Sequence, residues 1–202
     1  MKTNKLMIAA SAACLSVMLL SGCKNKAEAT ADTAVPAAGT AILQEDPVKR
    51  GEYLVTIMGC ADCHAPKTLS PTGFEFIQPL WLSGYRANVE LPKIDKNAVK
   101  TGWVLFTPDL NASVGPWGIS YAANITSDAT GIGNWPEENF IRAMKQGKFK
   151  GIEGGRTLLP PMPWQNFASA KDEDLKAMFA YLKSTPPVNN VVPAPVPPNE
   201  IK

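Results

Sequence analysis

The sequence predicts an all-α domain carrying a long loop-rich insertion. Two observations support this fold class. Three segments place apolar residues at helical spacing between matching start and stop signals. Residues 65–133, between the first and second of them, keep no sustained period and are rich in Gly, Pro, Trp and Asn. The 202 residues are 45% hydrophobic and 19% charged, a globular composition that excludes wholesale disorder.

The N-terminus stands apart. Met1-Lys2-Thr3-Asn4-Lys5 precedes an apolar run from Leu6 to Leu20. Lysines before a run too short to span a bilayer as a permanent helix form a secretory signal pattern, placed here at residues 1–22. The run ends in Leu20-Ser21-Gly22-Cys23, which resembles the lipobox of bacterial lipoproteins. That resemblance implies cleavage before Cys23, lipid on its thiol and amine, and a stable membrane anchor on the periplasmic side. Removing residues 1–22 takes away Lys2 and Lys5, leaving 18 basic and 18 acidic side chains. Balanced charge leaves no footprint for nucleic acid. Residues 24–46 are rich in Ala and Thr, with few large apolar side chains, and read with lipidated Cys23 as a flexible tether over 23–46.

The folded domain is expected over 47–202. Its first helix starts at Asp46-Pro47, with Asp46 as N-cap and Pro47 at the first position. Val48, Leu54, Ile57 and Met58 give its apolar spacing, and Gly59 stops it. Within 65–133 only short extended pieces such as Trp103–Phe106 are expected. A second helix spans about 136–146, with Phe140, Ile141 and Met144 on one face and Gly147 as its end. A third spans about 171–184, where Leu175, Met178, Phe179 and Leu182 form a stripe. Asp172, Glu173 and Asp174 fill its first turn, where the helix dipole favours anions. The tail from Thr185 holds six of the 18 prolines and reads as an extended strap or loose end.

The chemistry sits in Cys60-Ala61-Asp62-Cys63-His64. Two thiols three residues apart reach the two vinyl groups on one edge of a porphyrin, and the adjacent imidazole then lies over the iron. This is the pattern for covalent attachment of c-type haem. Structural zinc wants four ligands, and two Cys and one His fall short. A thioredoxin-type pair wants a βαβ setting. A plain disulfide has no use for His64. The chain holds a single His, so sites needing two imidazoles are excluded and the sixth iron ligand comes from elsewhere. Met144 and Met178 lie on apolar helix faces and Met58 adjoins the attachment turn, all positions where Met fills space. Met162 stands out, because flanking prolines in Pro160-Pro161-Met162-Pro163 hold the backbone extended and present the thioether on a stiff loop.

With these residues in place, the chain resembles the class I c-type cytochromes. That family has a helix leading into CxxCH, a methionine loop, and a C-terminal helix crossing the first. The matching parts here are residues 47–59, Cys60–His64, Met162 and residues 171–184. The chain is more closely similar to monohaem domains of multihaem cytochrome subunits of bacterial membrane dehydrogenases. Those carry stretches like Asn124-Ile125-Thr126-Ser127-Asp128, Thr130-Gly131-Ile132-Gly133-Asn134-Trp135 and Pro161-Met162-Pro163-Trp164. The resemblance covers most of 47–190. It implies a class I cytochrome c fold and one covalent haem c, bound through Cys60 and Cys63 with iron between His64 and Met162.

It also implies an electron carrier and not an enzyme, with redox proteins (a dehydrogenase, an oxidase or another cytochrome) as partners. Trp81, Tyr85, Trp103, Trp117, Trp135, Trp164 and Phe167 are pocket candidates. Arg86, Asn124 and Arg156 are candidate donors to the haem propionates. Two other readings are a peroxidase-like haem enzyme, which needs an open iron and distal acid–base groups, and a haem redox or gas sensor, which needs a signalling domain.

Overall fold

Asp46 opens the first helix as the sequence requires. Its carboxylate accepts from the Val48 N–H at 2.9 Å, and Pro47 takes a position where a missing N–H costs nothing. In the computed structural model, which describes residues 45–201, this helix is α1 (Pro47–Ile57). The expected signal segment, the lipobox at Cys23 and the tether up to residue 44 lie outside the described residues. Among the described residues no helix is long and apolar enough to cross a membrane.

A short helix, α2 (Cys60–His64), follows α1 almost without a break. The two longer helices beyond the insertion match expectation within a residue, as α4 (Glu137–Gln146) and α6 (Asp172–Ser184). Between them lies the short α5 (Trp164–Phe167). The core is built where α1, α4 and α6 meet. Leu54 and Val55, Phe140 and Met144, and Leu175, Met178 and Leu182 are buried together with Ile132. Each fully buried Leu or Met contributes about 1.5–3 kcal/mol relative to exposure.

The crossing of α1 on α6 depends on Gly51. A Cβ there would overlap the Ala177 carbonyl and sit 2.7 Å from the Tyr181 Cβ, so only glycine lets the helices come this close. Arg50 ties the same pair, its guanidinium donating twice to Asp174 at 2.7 and 3.0 Å.

The all-α expectation fails in the inserted segment, which carries two small antiparallel sheets. β1 (Lys67–Ser70) pairs with β2 (Gly73–Phe76), setting Leu69 opposite Phe74. β3 (Leu105–Phe106), β4 (Ala112–Gly115) and β5 (Gly118–Tyr121) form a second sheet in that order. The extended piece expected at Trp103–Phe106 is strand only over Leu105–Phe106. The segment also holds a single-turn helix, α3 (Lys96–Lys100), capped by Asp95. These strands are two to four residues long, and β4 is buried at every position. A strand covered on both faces shows no alternation of apolar and polar residues.

The tail is a strap. Val196 bridges Ile119 at the edge of β5, with backbone hydrogen bonds of 2.8 and 3.0 Å. Further back, the Asn190 side chain donates to the carbonyls of Ser83 and Tyr85, both at 2.8 Å.

Candidate functional site

Helical geometry in α2 sets Cys60 and Cys63 one turn apart, on the same side of the helix. Both are free thiols. Burial pushes the Cys60 thiol up to about 11 and raises Cys63 as well. Both sulfurs are therefore neutral near pH 7, and converting them to thioethers sacrifices no buried charge.

His64 follows directly. Its Nδ1 lies 2.7 Å from the carbonyl oxygen of Ala123. A carbonyl can only accept, so Nδ1 carries the proton and Nε2 keeps its lone pair. Burial pulls the His64 pKa down, outweighing the opposing pull of the Ala123 hydrogen bond, so the ring is held neutral. A neutral imidazole with Nδ1 occupied and Nε2 free is a prepared metal ligand.

The backbone of α2 is held as firmly as its side chains. Its last carbonyls have no partner within so short a helix. Lys67 Nζ donates to Asp62 O, Asn111 Nδ2 donates to Cys63 O, and the Gly84 N–H donates to His64 O at 2.7 Å. Gly84 has φ +75°, and a Cβ there would lie 2.5 to 2.6 Å from the backbone of Ala122 and Ala123. Glycine therefore lets this turn press against the residues that hold His64.

Met162 lies on the other side of the insertion in sequence. Its carbonyl accepts from the Trp164 N–H at 2.9 Å where α5 begins. Its side chain is half-buried against the same apolar cluster that Met58 and Cys60 border. Met144 and Met178 are buried inside that cluster. Cys60 and Met162 thus both pack against this one apolar cluster, as do Trp81, Trp135 and Phe167.

The remaining candidates sort by contact. Tyr85 is buried with its ring centroid 4.8 Å from that of Tyr121. Trp117 lies over Gly115 and donates to Ser120 Oγ at 3.2 Å. The Trp164 ring lies over Gly147. Trp103 is 68% exposed. Asn124 has no free donor for a propionate, since its Nδ2 donates to Thr130 Oγ1 at 3.1 Å and to Val188 O at 2.8 Å. Arg156 stacks 3.8 Å from the Phe149 ring centroid and donates to Thr157 O. Arg86 is half-buried on an open groove shared with Ser83 and Asn190.

These residues fit a haem: two neutral thiols one turn apart, a neutral imidazole with one nitrogen open, and a thioether packed against the same apolar cluster as Cys60. The sequence reading missed Ala123, Gly84 and Asn111. Ala123 acts through its carbonyl, so its side chain carries no signal. Asn111 ends the turn Asp109-Leu110-Asn111, and turn composition was its only mark.

No family model matches the chain. Over 135 residues, 66% of the chain, it is 32% identical to the gluconate 2-dehydrogenase cytochrome c subunit of Pantoea cypripedii, covering 22% of that protein. Over another 135 residues, also 66% of the chain, it is 29% identical to the cytochrome c subunit of the alcohol dehydrogenase (quinone) of Gluconobacter oxydans, covering 20% of it. Over 168 residues, 83% of the chain, it is 28% identical to the fructose dehydrogenase cytochrome subunit of Gluconobacter japonicus, covering 26% of it. The chain thus spans about a quarter or less of the length of these curated relatives. Built around the Cys60–His64 turn, it is similar to the cytochrome subunits of gluconate, alcohol and fructose dehydrogenases.

Proposed function

We propose that this protein is a c-type cytochrome carrying single electrons between redox partner proteins. One haem is bound through thioethers at Cys60 and Cys63, with His64 and Met162 as axial ligands. The observation that carries the reading is the Cys60–His64 turn, with the His64 Nδ1–H spent on Ala123 and Nε2 left open. The similarity to cytochrome subunits supports the same group.

Haem bound here supplies a one-electron carrier whose iron alternates between ferric and ferrous. The chain supplies everything around it. The Ala123 carbonyl fixes the tautomer of His64 and raises its basicity as a ligand. The Met162 thioether would hold the iron together with His64 and would favour its ferrous state. Trp81, Trp135 and Phe167 pack against the same apolar cluster as Cys60 and Met162, and apolar surroundings disfavour extra charge on a bound group. No distal acid–base pair is needed for this role, and the chain acts as a carrier and not as a catalyst.

In this reading Cys23 is lipidated after export, and the chain works at the periplasmic side of a membrane on the tether that follows. A dehydrogenase is its electron donor or its assembly partner, by analogy with the names of its relatives.

Optical spectra of the wild type and Met162→Ala test the ligands. The ferric methionine–iron charge-transfer band is expected in the wild type and absent from the variant. A band that survives the substitution refutes Met162 as ligand. Carbon monoxide should not bind the reduced wild type at neutral pH, and ready binding would favour an open-iron enzyme. Cys23→Ser should release the protein from the membrane fraction.

A further inference from the structure

Asn111 holds two of the carbonyls at the end of α2. Its Nδ2 donates to Cys63 O and, at 3.4 Å, to Ala65 O, the two carbonyls that flank His64. Asn111 is 1% exposed. Turning the carboxamide over would aim its oxygen at two carbonyl oxygens, so the orientation is fixed. In that orientation Oδ1 is buried and has no hydrogen-bond partner among the described residues. A buried unpaired acceptor destabilises a fold. A position that needed only filling would not carry such an atom.

The approach to Asn111 is also constrained. Leu110 has φ +62°, left-handed backbone that is strained for a non-glycine residue. Asp109 Oδ1 accepts from the Asn111 N–H at 3.2 Å, and the Ala122 N–H donates to the Asn111 carbonyl at 2.8 Å. Ala122 precedes Ala123, whose carbonyl holds the His64 ring. The segments that lead into β4 and out of β5 therefore grip the backbone on either side of His64 through Asn111 and its ring through Ala123.

We infer that Asn111 is a positioning residue for His64, setting the angle of the imidazole by clamping the carbonyls of Cys63 and Ala65. The inference rests on the haem reading above. Loss of the clamp lets the turn relax and misaligns the Nδ1–Ala123 hydrogen bond. His64 then becomes a less basic ligand, which favours the ferrous state.

The test uses the full chain matured in a host that attaches haem, as wild type, Asn111→Leu and Asn111→Ser. Leucine keeps the volume and removes the donor. Serine keeps one donor on a shorter arm, and leaves a readable protein if the leucine variant does not fold. Haem per polypeptide, the ferric electron paramagnetic resonance g values, the ferric/ferrous equilibrium and the thermal midpoint are measured together. Both variants should keep covalent haem, show changed g anisotropy, and shift the equilibrium toward ferrous by roughly threefold to tenfold, serine less than leucine. A folded variant with a lower thermal midpoint but wild-type g values and equilibrium would overturn the inference. A wild type that matures without covalent haem would instead overturn the proposed function.

Discussion

At Asp128 a single carboxylate organises a turn. Its Oδ1 accepts from the Thr130 N–H at 2.8 Å and the Thr130 hydroxyl at 2.6 Å. The Thr130 oxygen in turn accepts from the Asn190 N–H at 3.0 Å, so the carboxylate anchors the strap. The Thr130 hydroxyl and then its N–H hold the Asp128 carboxyl below its ordinary range. A native value below the unfolded value of about 3.9 stabilises the fold above that pH and stops doing so as pH falls through the native value. The gap in thermal midpoint between wild type and Asp128→Ala should be full at pH 7 and close on acidification. Scanning calorimetry across pH 2.5 to 7 checks this, and a gap constant over the range would refute it. Residues of this kind differ in how they can be read. Cys60, Cys63 and His64, the proposed haem residues, lie within five residues, so their spacing alone exposes them. Asn111 and Ala123 act across long loops through an amide and a backbone carbonyl, and adjacent sequence says nothing of such partners.

Among the elements, the three longer helices α1, α4 and α6 were legible, and the short helices α2, α3 and α5 and the sheets were not. α1 announces itself with Asp46 and Pro47, and α6 with three acidic residues and a four-membered apolar stripe. Each signal is local and recurs over several turns. β3 has only two residues, and β4 hides the period that marks a strand because it is buried throughout. The turns between strands were better marked: Pro71-Thr72 leads into Gly73, and Gly115-Pro116-Trp117-Gly118 joins β4 to β5. The α1–α6 crossing supplies a prediction at this scale. Gly51→Val places atoms where the Ala177 carbonyl already lies, and should cost about 1–3 kcal/mol through forced separation of the helices. Chemical denaturation of the haem-loaded protein measures it, and a change within error would show that the crossing is not tight.

Across the whole described chain, the strap joins parts that no helix links. Asn190 binds the turn at Ser83 and Tyr85, Asn124 binds Val188, and Val196 extends the edge of β5. Asn190→Ala leaves two carbonyls without their donor, at a cost of about 1–3 kcal/mol. Limited proteolysis should then cut beyond Thr185 sooner than in wild type, and an unchanged cutting rate would show that the strap is held elsewhere. The proline count alone could not decide between a strap and a loose end, because the decision lies in Asn and Val contacts made far from the tail.

The strap also bears on time. Synthesis runs from the N-terminus, so Cys60 and Cys63 exist in the growing chain before Asn111, Ala123, Met162 or α6. Every group that encloses these thiols from the C-terminal side is made after them. Val196, which extends the sheet at Ile119, follows Cys63 by 133 residues. In the proposed haem protein the thiols are thus made first, and the groups that enclose them follow.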